Sequence, residues 1–585
     1  MILLNVVAAF TAKDCLISLE FLFQTTEKTK KGQIMTLVAI GLDSAEPKDV
    51  EKLINEDKLP NFKRLIDKGV YGRLENFDVF TAELPWTTFA TGVMPENTGY
   101  WTPLKYEPDY NVHTRAAYEY DEFPAFYALG KGTRVCSFDV PQVRLQEGLD
   151  GLQINAWGAH SPQVEQESND SKLFQEILDK YREHPGLHKD YAHVLNMKNV
   201  RKVYDMLIAG CKLRGEVCAD LLKREDWDLF LTVFGEPHGA GHNFWQFRPE
   251  HPLFEQSIKD KDLLPEDPLT DTMQEIDTAV GKIMDAAPSD STFVLFSAHG
   301  MGPNTMDLPS TFFLPELMYR MSFKQPALGV ETGSDATVIE QSWQNWERHV
   351  WNTSSRGGPI VRALRKILPT RLYNKFEPYF EVGHEDFPVN PNTARKMYAP
   401  KPWFQTTMWY RHLWKDMEAF ALPSFSDGYI RVNLKGREQN GLVEPEDFKN
   451  TIKRICDSLN KLTCYRTGVK MVKRIEVMRD TGFETDPKLP DADIVICWQE
   501  EYATDCVIHP ELGKIGPVPH FRAGSHRHTG FMIASGAKIQ KNSTIENGHA
   551  LDIAPTILSL MGKPIPSYMR GKPITEISQP LEAVS

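Results

Sequence analysis

The sequence predicts an α/β protein built on a doubly wound, mainly parallel sheet, and three observations carry that reading. From residue 35 to about residue 300, apolar runs of strand length alternate with amphipathic segments of helical period. Several of those runs, among them TLVAIGLD, DLFLTVFGE and TFVLFSAHG, are largely apolar between polar ends, as buried strands are. The residues with chemistry to offer follow the ends of these runs, and in an open α/β sheet the carboxyl edge of the strands is where ligands gather.

In chain order, TLVAIGLD is the first strand, and KDVEKLIN and PNFKRLIDKG follow with helical period. Trp86 then opens a further helix, with Thr87 and Thr88 as caps or packing residues. RVCSFDVP and LQINAWG read as strands. VRKVYDMLIAGCKLRGEVCADLLKRE is a long amphipathic helix before the strand DLFLTVFG, and DTMQEIDTAVGKIMDAA is another before TFVLFSAHG. Residues 303–423 break the rhythm and hold six of the twelve tryptophans, at 343, 346, 351, 403, 409 and 414. They suggest an inserted cap beside the strand ends, or a small accessory core, since tryptophan packs more often than it serves as a ligand platform. From DGYIRVNLKGRE the alternation resumes, with EDFKNTIKRICDSLNKL as helix and ADIVICW as strand. The expected organisation is an N-terminal extension (1–34), a first part of the core (35–302), the inserted region (303–423) and a second part of the core (424–585).

Composition narrows the class. The chain has 585 residues, 41% hydrophobic and 25% charged, which is ordinary globular material too long for a single small core. No apolar stretch approaches a membrane span, and a formal charge of -13 opposes binding to polymeric nucleic acid. The eight cysteines (15, 136, 211, 218, 456, 464, 497 and 506) show no CxxC spacing and read as scattered thiols of a reducing compartment. MILLNVVAAFTA has the apolar length of a signal-peptide core but no preceding basic residue. Met35 stands directly before the first strand, so an upstream start-codon assignment explains the extension equally well, and a cytoplasmic protein is the expectation.

Five residues suggest a metal site: Asp43 after the first strand, His238 and His242 in GEPHGAGH, His299 in SAHGM and His526 in GSH. Imidazole and carboxylate ligate zinc, iron and manganese, and the spacing of four puts His238 and His242 on one face of a helix. Each has an ordinary alternative: Asp43 capping a turn, His299 satisfied in the core, His526 exposed beside His528. His160 follows a strand and could face the same cleft.

These patches, with LPNFKRLIDKGVYGRL, PWTTFATGVMPENTG, DGYIRVNLKGRE, GSHRHTGFMIASG and DIAPTILSLMGKPIP, run in the order seen in the alkaline phosphatase superfamily. They resemble most closely its type I phosphodiesterase and nucleotide pyrophosphatase branch. The resemblance implies a hydrolase of phosphodiester or pyrophosphate bonds, acting on a small phosphorylated substrate such as a nucleotide, with one or two divalent transition metals, zinc foremost and manganese or iron as alternatives. It implies Arg431 as a phosphate-pairing residue. The sequence departs from the pattern where His238 replaces an Asp and Ala298 replaces the Asp of an SDHG-like loop. Two dications need anionic ligands to offset their repulsion, so one tightly held ion with a second weak or absent is expected.

The hydroxyl that attacks phosphorus in the family falls on Ala82, which leaves two candidates: Thr81 as nucleophile after a one-residue slip, or Glu83 as a metal ligand beside an attacking hydroxide. The absence of a C-x-P-x-R motif opposes an ordinary sulfatase. A diverged metalloenzyme acting on a sulfate ester, phosphonate or nonphosphoryl group, and a noncatalytic metal-binding protein, are the alternative functions.

Overall fold

The computed structural model describes residues 35–77, 79, 84–158, 164–186, 197–257, 264–327, 363, 367–369, 372, 406–518, 520, 522–537, 539–541 and 543–577. Its centre is a nine-stranded sheet. In chain order the strands are β1 (Leu37–Leu42), β2 (Gly69–Glu75), β3 (Arg134–Phe138), β4 (Asp150–Asn155), β5 (Glu167–Ser168), β6 (Leu229–Phe234), β7 (Thr292–Ser297), β8 (Thr529–Ser535) and β9 (Ser543–His549). They lie across the sheet as β9-β2-β8-β7-β1-β6-β3-β4-β5. The pairs β7-β1, β1-β6, β6-β3, β3-β4 and β2-β9 are parallel, whereas β8 runs antiparallel to both β2 and β7. The mainly parallel sheet expected from the sequence is therefore present, with the late strand β8 inserted against the grain and the short edge strand β5 antiparallel to β4.

Helices cover both faces of the central strands β1, β6 and β7, as their almost wholly apolar, buried residues require. Side chains alternate along β1: Leu37 and Ala39 meet Trp86 and Phe89 of α3 (Pro85–Thr91) and Ile553 and Ile557 of the helix Ile553–Leu560. Val38, Ile40 and Leu42 face the other way. They meet α1 (Pro47–Asn55), α2 (Pro60–Ile66), α4 (Met197–Leu222) and α6 (Pro268–Ala286) through Val50, Phe62, Cys211 and Ile276. Pro47, Pro60, Pro85 and Pro268 each stand at a helix start, where their missing N–H costs nothing and their fixed φ suits the first turn. Asp267 caps α6 by accepting from the Thr270 N–H at 3.2 Å.

A second, antiparallel sheet of four strands is built from Ala419–Leu422, Gly428–Val432, Ile494–Trp498 and Val472–Val477. It shares a large apolar core with the helix Leu314–Phe323 and the helix Phe448–Leu459. Trp409 and Trp414 are buried in that core, Trp414 stacked on Phe420 with ring centroids 4.7 Å apart, so these two of the six inserted tryptophans are packing residues. The other four lie outside the described residues, as do residues 1–34. The sequence boundary at 423 falls between two paired strands, since Ala419–Leu422 pairs with Gly428–Val432. Of the late strands, only β8 and β9 enter the central sheet. Among the described residues no helix is long and apolar enough to cross a membrane, and none of their seven cysteines forms a disulfide.

Candidate metal centre

The site forms because parallel neighbours end on the same edge. β7 delivers His299, β1 delivers Asp43, and β6 runs through Gly235 into α5 (Glu236–Phe244), which carries His238 and His242. The Asp43 N–H donates to the Phe234 carbonyl at 2.9 Å, which locks the first turn to the end of β6. Ser297 Oγ accepts from the Ala45 N–H at 3.1 Å and lies 2.6 Å from the Leu42 carbonyl, tying β7 to the same turn.

His526 arrives on a short antiparallel ribbon in which Gly300–Pro303 pairs with Gly524–Arg527, placing His526 opposite Met301. The ribbon packs tightly on α5. A Cβ at Gly241 would stand 2.5 Å from Met301 Cγ, and one at Gly524 would stand 2.3 Å from the Gly241 carbonyl oxygen, so both positions require glycine.

His238, His242 and His526 are all buried, and one ligand atom from each lies within 4.8 Å of the others. His242 Nδ1 is 2.7 Å from the Gly524 carbonyl, and since a carbonyl can only accept, Nδ1 carries the proton. Nε2 therefore presents a lone pair toward the cluster, the arrangement by which a backbone carbonyl orients a metal-ligating imidazole. It faces His238 Nε2 at 3.0 Å. Two nitrogens bound tetrahedrally to one zinc are about 3.3 Å apart for bonds of about 2.0–2.1 Å, so this pair fits a common ion with little movement.

The other half of the site adjoins it through His526, whose ring centroid is 5.2 Å from those of His238 and His242 and 4.9 Å from that of His299. His299 Nε2 is 3.5 Å from Asp43 Oδ1. Burial pushes the Asp43 carboxyl up to about 7, against the opposing influence of Trp86 and Ser44, and it pushes His299 down to about 3. An acid and a base that both resist charging in the protein alone are what a site completed by a cation would contain. His299 Nδ1 is buried without a hydrogen-bond partner. Ala298 packs in the apolar cluster of Trp86 and Phe89, and its carbonyl accepts from Asn76 Nδ2 at 2.9 Å.

A buried ion network holds α5 from below. Arg214 of α4, fully enclosed, donates from Nη1 to Asp139 Oδ2 at 2.7 Å and from Nε to Glu236 Oε1 at 3.0 Å. His184 Nδ1 accepts from the Gly186 N–H, so its Nε2 carries the proton and donates to Glu236 Oε1 at 3.0 Å. The Gly158 N–H donates to Asp139 Oδ2 at 3.0 Å. Glu236 opens α5, Asp139 follows β3 and Gly158 follows β4, so one guanidinium gathers the carboxyl ends of three strands two residues from His238.

The structure thus brings together Asp43, His238, His242, His299 and His526. Thr81, Glu83 and His160 lie outside the described residues. Arg431 is placed elsewhere. It sits in the four-stranded sheet, buried, donating to Glu438 Oε1 at 2.7 Å and to the Asp491 carbonyl at 2.5 Å, which explains it as an ion-pair residue of that sheet. Ser44, which sequence reasoning passed over, stands in the middle of the site. A serine directly after a strand-ending aspartate was the only signal, because its backbone conformation is not legible in the sequence.

The cluster of candidate ligands thus stands at the carboxyl edge of an α/β sheet, where such sheets hold their ligands. The chain matches the family Type I phosphodiesterase / nucleotide pyrophosphatase over residues 37–377, more than half its length, and belongs to that family of metal-dependent hydrolytic enzymes. Among solved structures it is similar to wild-type alkaline phosphatase PafA, at 12% identity and a TM-score of 0.48 over 93% of this chain and 99% of that one. It is also similar to phosphonoacetate hydrolase from Sinorhizobium meliloti 1021 in complex with phosphonoformate, at 11% identity and a TM-score of 0.43 over 90% of this chain and 96% of that one. No individually curated protein matches.

Proposed function

We propose that this chain hydrolyses a phosphodiester or pyrophosphate bond of a small substrate, such as a nucleotide, with one ion held by His238, His242 and His526. The observation that carries the reading is the convergence of those three buried imidazoles, one with its tautomer already set for ligation. A donor set of imidazoles suits zinc best, with iron or manganese as alternatives. When bound, the ion would polarise a nonbridging phosphoryl oxygen and offset charge on the leaving oxygen. Asp43 and His299 would hold a second, weaker ion or orient the substrate. Free thiols at the seven described cysteines suit a reducing, cytoplasmic setting.

The direct test is release of p-nitrophenol from bis-p-nitrophenyl phosphate by metal-replete protein, compared with metal-depleted protein and with p-nitrophenyl phosphate, a phosphonate monoester and p-nitrophenyl sulfate. Hydrolysis of the diester alone or foremost is expected. Preference for the phosphonate or sulfate would favour the diverged reading that the carboxylate losses at residues 238 and 298 support, and no turnover of any would favour a noncatalytic metal-binding protein.

Three variants address the weaker half and the attacking group. Ala298→Asp buries a carboxylate in an apolar cluster, so the metal-free variant should unfold more readily than the wild type. Added metal should then tighten the weaker binding class and restore stability, as calorimetric titration and thermal unfolding would show. Glu83→Gln should reduce metal content and rate together if Glu83 is a ligand, whereas Thr81→Ala should leave both nearly unchanged.

A further inference from the structure

Ser44 Oγ lies 2.8 Å from His299 Nε2, 3.2 Å from His526 Nδ1 and 3.2 Å from Asp43 Oδ1. Three groups suited to bind a cation thus converge on one hydroxyl. Ser44 is buried and adopts φ 61°, in the left-handed region that a serine enters at an energetic cost and a glycine does not. Strain of this kind persists where the surroundings impose it, and it concentrates at functional sites. The position that supplies the attacking hydroxyl in the resembled pattern falls on Ala82, which carries none.

We infer that Ser44 Oγ is the nucleophile. The inference rests on the reading that the chain hydrolyses a phosphoric ester or anhydride. In the first step the Ser44 Oγ–P bond forms as the bond from phosphorus to the leaving oxygen breaks; the Oγ proton goes to water, and the departing oxygen takes one from water. In the second step a water oxygen attacks phosphorus, the P–Oγ bond breaks, and Oγ regains a proton. Water is the only co-reactant, and the sum is hydrolysis. Asp43, His299 and His526 hold the hydroxyl at the strand end.

The test is acid quenching of metal-replete protein during turnover of bis-p-nitrophenyl phosphate, with peptide mapping by mass spectrometry. A phosphoryl adduct on Ser44 is expected. Ser44→Gly removes the hydroxyl and relieves the left-handed strain, so it should melt at or above the wild-type temperature, keep its metal and show no adduct. Its p-nitrophenol release should fall by at least about 1,000-fold, since removing a catalytic nucleophile can cost about 10^6-fold. An adduct on Thr81, or a Ser44→Gly variant that keeps its rate, overturns the assignment while the functional reading stands. A variant that loses rate together with metal or melting temperature makes Ser44 structural and also overturns it. A wild type with neither turnover nor adduct defeats both readings.

Discussion

His242→Ala is expected to lose its bound metal and at least about 100-fold of its hydrolytic rate, since even changes to groups that merely orient metal ligands cost about 10–100-fold. His242 Nε2 faces His238 Nε2 at 3.0 Å with its lone pair fixed by the bond from Nδ1–H to Gly524. Removing the ring leaves His238 and His526 with two nitrogens where a tetrahedral ion needs three protein ligands and an open position. His526→Ala should behave alike. Elemental analysis beside turnover rates checks both, and a full metal complement in either variant would remove that residue from the ligand set.

Arg214→Met should destabilise the fold by about 3–5 kcal/mol, the cost of breaking a buried ion pair and leaving its partner charges uncompensated. Asp139 and Glu236 would remain enclosed beneath α5 with only the His184 and Gly158 donors. Burial alone would raise the Glu236 pKa, yet the Arg214 charge and the His184 hydrogen bond outweigh it and hold the carboxyl at about 2, below its ordinary 4.5. A group depressed on folding contributes stability that is fully present above its unfolded pKa. That contribution declines as pH falls from about 4.5 through about 2. In Arg214→Met the carboxyl is no longer held down, so acid unfolding should begin at higher pH than in the wild type. Urea unfolding as a function of pH measures both effects. Adding Glu236→Gln to Arg214→Met should recover part of the loss by removing one orphaned charge, and a single variant within about 1 kcal/mol of the wild type would show that the network is not holding α5.

Most of the sheet was legible because its strands are buried on both faces. Runs such as DLFLTVFG are strand-length and almost wholly buried, and the helices between them keep a clear period. Four of the five ligand candidates were legible for a related reason: Asp43, His238, His242 and His299 stand at the end of such a run or on the helix after it, whereas His526 lies on a short ribbon ahead of its strand. The ion network was less visible, though it left a trace. Leu207, Cys211, Arg214, Cys218 and Leu221 are spaced by four, three, four and three, so Arg214 occupies the buried stripe of α4, and a charge there requires an enclosed partner. Arg431 misled because a basic residue in a matching segment suggests phosphate, whereas the partner seven residues on, Glu438, is reached only after the chain turns back. Ser44 was illegible because its importance lies in a left-handed backbone and in the meeting of Asp43, His299 and His526, which no local pattern encodes.

The most direct measurement is anomalous X-ray diffraction at the absorption edge of the metal found in the purified protein. One strong peak within bonding distance of His238 Nε2, His242 Nε2 and a ring nitrogen of His526 is expected, with a weaker peak or none between Asp43 and His299. A strong peak at Asp43 and His299 with none at the three histidines, or no peak at either place in fully active protein, would contradict it.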